Sequence, residues 1–329
     1  MKKFVNNVDD MLAESLSGFA AIHGDIVALG EGNLFVRRAM PDKSKVAVIS
    51  GGGSGHEPLH AGFIGTGMLD AACPGHVFTS PTPDQMLAAI NAVAGDPGVL
   101  LIVKNYAGDR MNFEMAVEMA EGKIATVVTD DDVAVENSTY TTGRRGVAGT
   151  MIVEKMVGAL AETRASLEDC RLLGVEVNAR TRSMGVALTS CTVPAAGRPT
   201  FDIDDTEMEM GVGIHGEPGR RRVPLGTARS IAEEMISTIV ADLKLAEKGQ
   251  GPAILLVNGF GATPLLELYL MAEMARAELA RHGITIARGL VGNYVTSLDM
   301  AGCSLTVSMV DDRLLRLWDA PVHTAALHW

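Results

Sequence analysis

Between Val48 and Phe63 the chain reads VISGGGSGHEPLHAGF, and two different chemistries could be built on those residues. HEPLH, from His56 to His60, fits the H-E-x-x-H pattern in which two histidines on one helix face share a zinc ion. GGGSG, from Gly51 to Gly55, is bare backbone of the kind whose N–H groups wrap an anion or a small polar ligand. The zinc pattern requires a continuous helix, and Pro58 stands inside it. Proline is tolerated only in a first helical turn, so a helix starting near Glu57 leaves His56 outside, in the loop. No third ligand follows at short spacing, and the metal reading is set aside. The glycines then predict a strand, a loop and a helix N-terminus, where partial positive charge favours an oxygen-rich ligand. The alternative is a tight glycine turn with no ligand. Nucleotide signatures fail: G-x-x-x-x-G-K-[ST] has no lysine here, and both G-x-G-x-x-G and the serine elbow G-x-S-x-G break at His56.

The second concentration of chemistry is MGVGIHGEPGRRR, residues 210–222, where His215 is surrounded by Gly211, Gly213, Gly216 and Gly219, with Glu217 close by. Glycine on both sides clears space for a reactant to reach the imidazole; the alternative is a surface or hydrogen-bonded structural histidine. Asp109 ends KNYAGD and could act as a general base, as the N-cap of the following helix, or as both. Asp130, Asp131 and Asp132 could attract Mg²⁺, but the expectation is a solvated strand end with one member capping a turn. Arg144 and Arg145 could meet an anion; a surface loop or partner contact is the expectation. His23, His76, His282, His323 and His328 carry no pattern.

These residues must be positioned by elements that the apolar pattern reveals. KVAVIS (45–50), GVLLIVKN (98–105) and KIATVVT (123–129) read as buried strands. Residues 83–95 and 110–122 between them have helical spacing and end on glycine. Alternating strands and helices predict a mostly parallel sheet flanked by helices, with ligands beyond the carboxyl ends of the strands. Residues 150–180 read as two helices with Ser166 as the N-cap between them. SMGVALTSC restarts a strand pattern, so the expected organisation is an α/β lobe over 1–182 and a second α/β or α+β lobe over 183–329. The C-terminal tail is free in this scheme to pack back on the first lobe.

Composition bounds the function. The 329 residues suffice for roughly two domains. Hydrophobic residues make up 47% and charged residues 21%, as in a soluble globular protein, and the net charge of −12 with no basic face argues against nucleic acid or an anionic membrane as partner. No apolar run approaches the ~20 residues of a membrane span, and MKKFVNNVDD lacks the apolar core of a signal peptide. Cys73, Cys170, Cys191 and Cys303 are far apart without C-x-x-C, which predicts a reduced, cytoplasmic protein.

Taken together, SGGGSGHEP, GHVFTSPTPDQ, VLLIVKNYAGDRMNFE, TDDDVAVENSTYTTGRRGVAGT, CTVPAAGRP, EMEMGVGIHGEPG, GATPLLELY, TSLDMAG and LWDAPVHTAALHW resemble the dihydroxyacetone-binding subunits of bacterial dihydroxyacetone kinases over almost the whole chain. The resemblance implies that His215 adds covalently to the ketone as a hemiaminal, which glycerol, having no carbonyl, cannot form. It implies that His56 and Asp109 are the acid/base pair, and that Gly53, Ser54, Gly55, Ser80 and Lys104 complete the substrate pocket. It further implies two α/β lobes in a homodimer, with no cofactor or metal on this chain. ADP or ATP and Mg²⁺ are expected on a separate nucleotide-binding subunit, recharged by a phosphoenolpyruvate-dependent phosphocarrier. A non-catalytic coactivator of a transcription regulator and a kinase subunit for a four-carbon ketose such as erythrulose are the alternatives. The chain departs from the family's pattern in the short connection from Lys244 to Ala253 and in NGFGATP, where NNLGATP is expected.

Overall fold

Strands buried on both faces build the centre of the first sheet: every residue of Ala47–Ser54 and Val99–Lys104 is buried. The computed structural model describes residues 2–134, 143–217, 219–243 and 251–329. Helix α1 (Met11–Ile22) leads into β1 (Val27–Leu29), β2 (Val36–Arg38), β3 (Ala47–Ser54), β4 (Gly65–Thr66) and β5 (Ala71–Val77). Then come α2 (Pro83–Val93), β6 (Val99–Lys104), α3 (Ala107–Met119), β7 (Ile124–Thr129), α4 (Gly149–Glu162) and α5 (Leu167–Ala179). The 6-stranded sheet has the order β1-β2-β5-β3-β6-β7, with β5, β3, β6 and β7 parallel. Successive strand residues face opposite sides. Val48, Leu100 and Ile102 therefore join Met151, Ile152 and Leu173 of α4 and α5, whereas Ile49, Leu101 and Val103 pack with Met86, Ile90 and Phe113 of α2 and α3. Both faces are covered, which is why these strands read as unbroken apolar runs. β5 gives no such signal, because AACPGHV carries a proline and a glycine.

The chain continues through β8 (Thr181–Ala187), β9 (Glu207–Met210), β10 (Arg221–Pro224), α6 (Ala228–Asp242), β11 (Pro252–Gly259) and α7 (Leu265–Arg281). It ends with β12 (Thr285–Gly292), β13 (Gly302–Met309), α8 (Asp312–Asp319) and β14 (His323–Thr324). The second sheet runs β10-β9-β8-β13-β11-β12, and among the described residues only β11 and β12 pair in parallel. Ala253, Leu255 and Val257 pack with α6 and α7, while Ile254 and Leu256 face the core that α4 shares. Helix α4 touches strands of both sheets and is buried on every side from Gly149 to Ala159, so it is a core helix rather than an amphipathic surface one. At the end of the chain, β14 pairs with β4. Among the described residues no helix is long and apolar enough to cross a membrane.

Local signals set several boundaries. Thr82 and Gln85 close a capping box with Pro83 in the first turn of α2, and Ser166 accepts from the Asp169 N–H at 3.1 Å at the start of α5. The glycine stretch differs from expectation. Gly51, Gly52 and Gly53 are extended members of β3, paired with Cys73, Pro74 and Gly75, and no α-helix follows them. The backbone beyond is taken up by a distant segment: Thr296 N–H donates to His56 O (3.2 Å) and Leu298 N–H to Gly55 O (2.9 Å). Only a single 3₁₀ turn, Ala61–Phe63, forms there.

The acidic run and the arginine pair are also corrected. Asp131 and Asp132 are buried rather than solvated. Asp131 accepts from Val147 N–H (2.9 Å) and Gly149 N–H (2.7 Å) at the entry to α4 and from the Ser183 hydroxyl (2.5 Å). Arg145 is buried on Asp132 (2.7 Å), while Arg144 is tied to Asp242 (2.8 Å), so neither is a free surface cation. Residues 135–142 of the motif before them, and 244–250 of the short connection, lie outside the described residues.

Candidate active site

Asp109 stands in the first turn of α3, directly beyond the end of β6, and is buried. It does not cap the helix: the N-cap is Tyr106, with no side-chain capping bond. Lys104, the last residue of β6, places its Nζ 3.6 Å from Asp109 Oδ2. Burial raises the Asp109 pKa above the ordinary carboxylate range, while Lys104 and a hydrogen bond from Ser80 pull against it.

His56 is fixed by the other half of the chain. Its Nδ1 lies 2.8 Å from the Thr296 carbonyl, so Nδ1 carries the proton and Nε2 the lone pair. Nε2 is buried without a hydrogen-bond partner. Burial, then the charges of His215 and Lys104, drive the His56 pKa well below that of a free imidazole, so the ring is neutral. Phe78 stacks on it with ring centroids 5.2 Å apart.

His215 occupies the loop between β9 and β10. Its backbone N–H donates to Glu217 Oε2 (2.8 Å), and Glu217 is held in turn by Arg145 Nη1 at 3.3 Å. Arg145 also donates to Gly211 O (2.7 Å), so one buried guanidinium ties both ends of the loop to Asp132. Gly213 makes the packing possible: a Cβ there would lie 2.0 Å from Glu217 Oε1 and 2.7 Å from Arg145 Nη1. The His215 ring meets His56 edge-on at 4.6 Å and Tyr106 at 4.4 Å. Its Nδ1 is buried without a partner. Burial, then the nearby charges of Lys104 and Arg145, push its pKa down to about 3, leaving a neutral imidazole at ordinary pH.

These groups converge on a cavity of about 550 Å³ lined by Gly53, Phe78, Ser80, Tyr106, Asp109 and His215, among others. His56 stands behind that wall against the His215 ring, and Lys104 lies beneath Asp109. Ser54 and Gly55 are not part of the lining. The Ser54 hydroxyl donates to Gly75 O (2.7 Å), and Gly55 N–H donates to the Glu57 carboxylate (3.0 Å). Ser54 instead borders a second cavity of about 370 Å³ against Leu12, Leu16 and Phe19 of α1. Tyr106 and Phe78 carry no chemical signal in the sequence: Tyr106 lies inside KNYAGD, but nothing in its type marks it for the site. His60, the second histidine of HEPLH, is bonded to Lys104 and Glu154 in the interior and is not on a helix face with His56. Gly259 and Phe260 of NGFGATP lie at the end of β11 and in the core, away from the cavity lining. Among the described residues no group of three or more His, Cys, Asp or Glu side chains could hold one metal ion.

Residues 17–326 match the model of the Dak1 domain family. The dihydroxyacetone-binding subunit DhaK of the PEP-dependent dihydroxyacetone kinase of Escherichia coli (strain K12) is 49% identical, covering 100% of this chain and 99% of that protein. The solved structure of the dihydroxyacetone kinase operon co-activator Dha-DhaQ superposes with a TM-score of 0.88 at 34% identity, covering 95% of this chain and 96% of that one. The crystal structure of the dihydroxyacetone kinase of C. freundii superposes with a TM-score of 0.86 at 33% identity, covering 98% of this chain and 60% of that longer one. By sequence over its full length and by its fold, the chain belongs to the Dak1 domain family, with the dihydroxyacetone-binding subunits of phosphoenolpyruvate-dependent dihydroxyacetone kinases.

Proposed function

We propose that this chain is the substrate-holding subunit of a phosphotransferase with an alcohol group as acceptor, binding dihydroxyacetone as a hemiaminal on His215. The observation that carries this reading is the neutral His215 ring on the wall of a cavity that Asp109 also lines. A ring nitrogen adds its lone pair to the ketone carbon. The carbonyl π pair moves to oxygen, which takes a proton as the other ring nitrogen gives one up, so the adduct is neutral. A polyol without a carbonyl cannot be held in this way, which supplies selectivity without a large pocket.

The terminal hydroxyl of the held ketose then attacks the terminal phosphorus of a nucleotide carried by a partner subunit. The O–P bond forms as the bond to the diphosphate breaks, and the hydroxyl proton passes to Asp109 or to the Nε2 lone pair of His56. Gly53, Ser80 and Lys104 complete the pocket, with Ser54 and Gly55 shaping the strand end behind it. Nucleotide and Mg²⁺ belong to that partner, which a phosphocarrier recharges, and this chain works as a homodimer in the cytoplasm. Its four free buried thiols suit a reducing compartment.

The likeness to the operon co-activator favours one other reading, a sensor that binds the ketose without transferring phosphate. The test is to combine the chain with a cognate nucleotide subunit and phosphocarrier and follow several ketoses, dihydroxyacetone and erythrulose included, by ³¹P NMR. Turnover of dihydroxyacetone is expected; binding without turnover of any ketose would overturn the kinase reading in favour of the sensor.

A further inference from the structure

A line of buried titratable groups leads away from Asp109 through Lys104 and His60 to Glu154. Lys104 Nζ lies 3.6 Å from Asp109 Oδ2, 3.2 Å from Gly51 O and 2.8 Å from His60 Nε2. His60 Nδ1 is 2.6 Å from Glu154 Oε1. Four elements and one turn contribute: β3, β6, α3, the all-round buried α4, and the turn that carries His60. Room for the ammonium comes from Gly52, where a Cβ would lie 2.1 Å from Lys104 Nζ. Glu154, Lys104, His60 and Asp109 are all buried, and Glu154 Oε2 has no hydrogen-bond partner. A carboxyl placed at the centre of the molecule with one oxygen unpaired costs stability, which apolar packing at that position would not.

We propose that Glu154 and His60 are positioning residues for phosphoryl transfer, acting through Lys104 to set how tightly Asp109 holds a proton. The inference rests on the reading of Asp109 as the base. Two proton placements fit the line. In one, a Lys104 ammonium donates to His60 Nε2 and His60 Nδ1–H donates to a Glu154 carboxylate. In the other, Glu154 carries the proton, His60 is the Nε2–H tautomer, and Lys104 is an amine. They differ by two proton transfers, from Lys104 Nζ to His60 Nε2 and from His60 Nδ1 to Glu154, which together exchange the His60 tautomer. Burial, against the pull of Ser50 and Lys104, raises the Glu154 pKa to about 8, so Glu154 can carry a proton near neutral pH. In the first, the Glu154 carboxylate offsets the positive charge that Lys104 presents to Asp109; in the second, the charge has been passed to Glu154 and neutralised. The other groups facing this line are Ser80 and Tyr106 beside Asp109, and His56 and His215 beside Lys104.

Glu154→Gln keeps an acceptor for His60 Nδ1–H but can neither carry the charge nor take the proton, and His60→Gln breaks the transmission. Both variants are expected to fix Lys104 as an ammonium and make Asp109 a weaker base. The acid limb of the turnover–pH profile should move down by about one unit and kcat fall roughly tenfold, with KM for the ketose and the His215 adduct retained. Glu154→Asp, which restores a titratable group, should recover part of the loss. The same shift should appear in a ¹³C-carboxyl NMR titration of Asp109 in the isolated chain, assigned with Asp109→Asn. An Asp109 titration and pH profile unchanged in both variants, with only Tm lowered, would overturn the inference and leave Glu154 and His60 as core packing. Because the titration needs no turnover, it decides the inference even where wild-type turnover fails, a failure that would count against the kinase reading instead.

Discussion

The ring of His215 stands edge-on to the ring of His56 with centroids 4.6 Å apart, although one belongs to the second sheet's loops and the other to the end of β3. What closes that gap is a set of hydrogen bonds between His56 and its neighbours and the segment at Thr296. The segment at Thr296 accepts His56 Nδ1–H, donates its own N–H to His56 O and sends its hydroxyl to Glu57 O at 3.0 Å. That segment is itself held by Asn258, whose amide donates to Val295 O (2.7 Å) while its oxygen accepts from Val295 N–H (2.8 Å). The site is therefore a product of the two sheets meeting, with β11 setting the position of His56.

The covalent role proposed for His215 is checked by substitution. His215→Ala should abolish the mass increment of one ketose on the intact chain and lower turnover by at least ~10²-fold, the scale on which loss of a covalent residue acts. Tyr106, Phe78 and the Arg145–Glu217 tie remain, so the fold and thermal stability should change little. An adduct that persists in this variant places the nucleophile elsewhere.

A second expectation concerns pH. The folded pKa of His215, about 3, lies below the ordinary ~6.5 of the unfolded chain, so the unfolded state binds the extra proton. Its contribution to stability is present above ~6.5 and is lost as pH falls from there towards 3. Asp131, pushed up by burial to about 6, acts in the opposite sense, so the measurement has to be differential. In urea unfolding, His215→Asn should gain stability relative to wild type between pH 7 and pH 5. Adduct formation in wild type should hold steady over the same interval, because the imidazole stays neutral. An adduct yield that titrates near pH 6.5 would show an ordinary, solvated histidine.

Much of the scaffold was legible because its strands and helices obey simple periods. KVAVIS and GVLLIVKN are strands buried on both faces, and the Thr82 and Ser166 caps announce their helices directly. The glycine stretch misled because a run of small residues reads as a loop, whereas here it lets Lys104 approach an extended strand. The acidic run misled for another reason. Burial of Asp131 and Asp132 depends on Val147, Gly149, Ser183 and Arg145 arriving from other elements, which no local window contains. His56 and His215 could be picked out by their glycine settings, but their approach across the sheets carried no periodic signature and came only through the resemblance. His60 was lost because its partners, Lys104 and Glu154, sit on β6 and α4.

A side chain at Gly213 would push Glu217 and Arg145 away from the loop that carries His215. In Gly213→Ala the new Cβ would overlap Glu217 Oε1 at 2.0 Å, displacing the acceptor of His215 N–H and the partner of Arg145. Destabilisation of roughly 1–3 kcal/mol is expected from the forced shift. A drop of about 10²-fold in the rate of adduct formation should accompany it, since the imidazole is no longer held at attack geometry. Unchanged adduct kinetics would show that Glu217 does not orient the loop.

Arg145 separates a structural cation from an anion-binding one. Its guanidinium is buried and divided among Asp132, Glu217 and Gly211 O. Arg145→Met fills a similar volume but strands two carboxylates without a partner, which costs on the order of 3–5 kcal/mol when one half of a buried pair is removed. Denaturant unfolding should show that loss. Arg145→Met combined with Asp132→Asn should recover part of it, because the amide can still accept from Ala134 N–H, as Asp132 Oδ1 does at 2.9 Å. A variant that instead kept its stability and lost only affinity for an anionic ligand would return Arg145 to the role of a ligand contact.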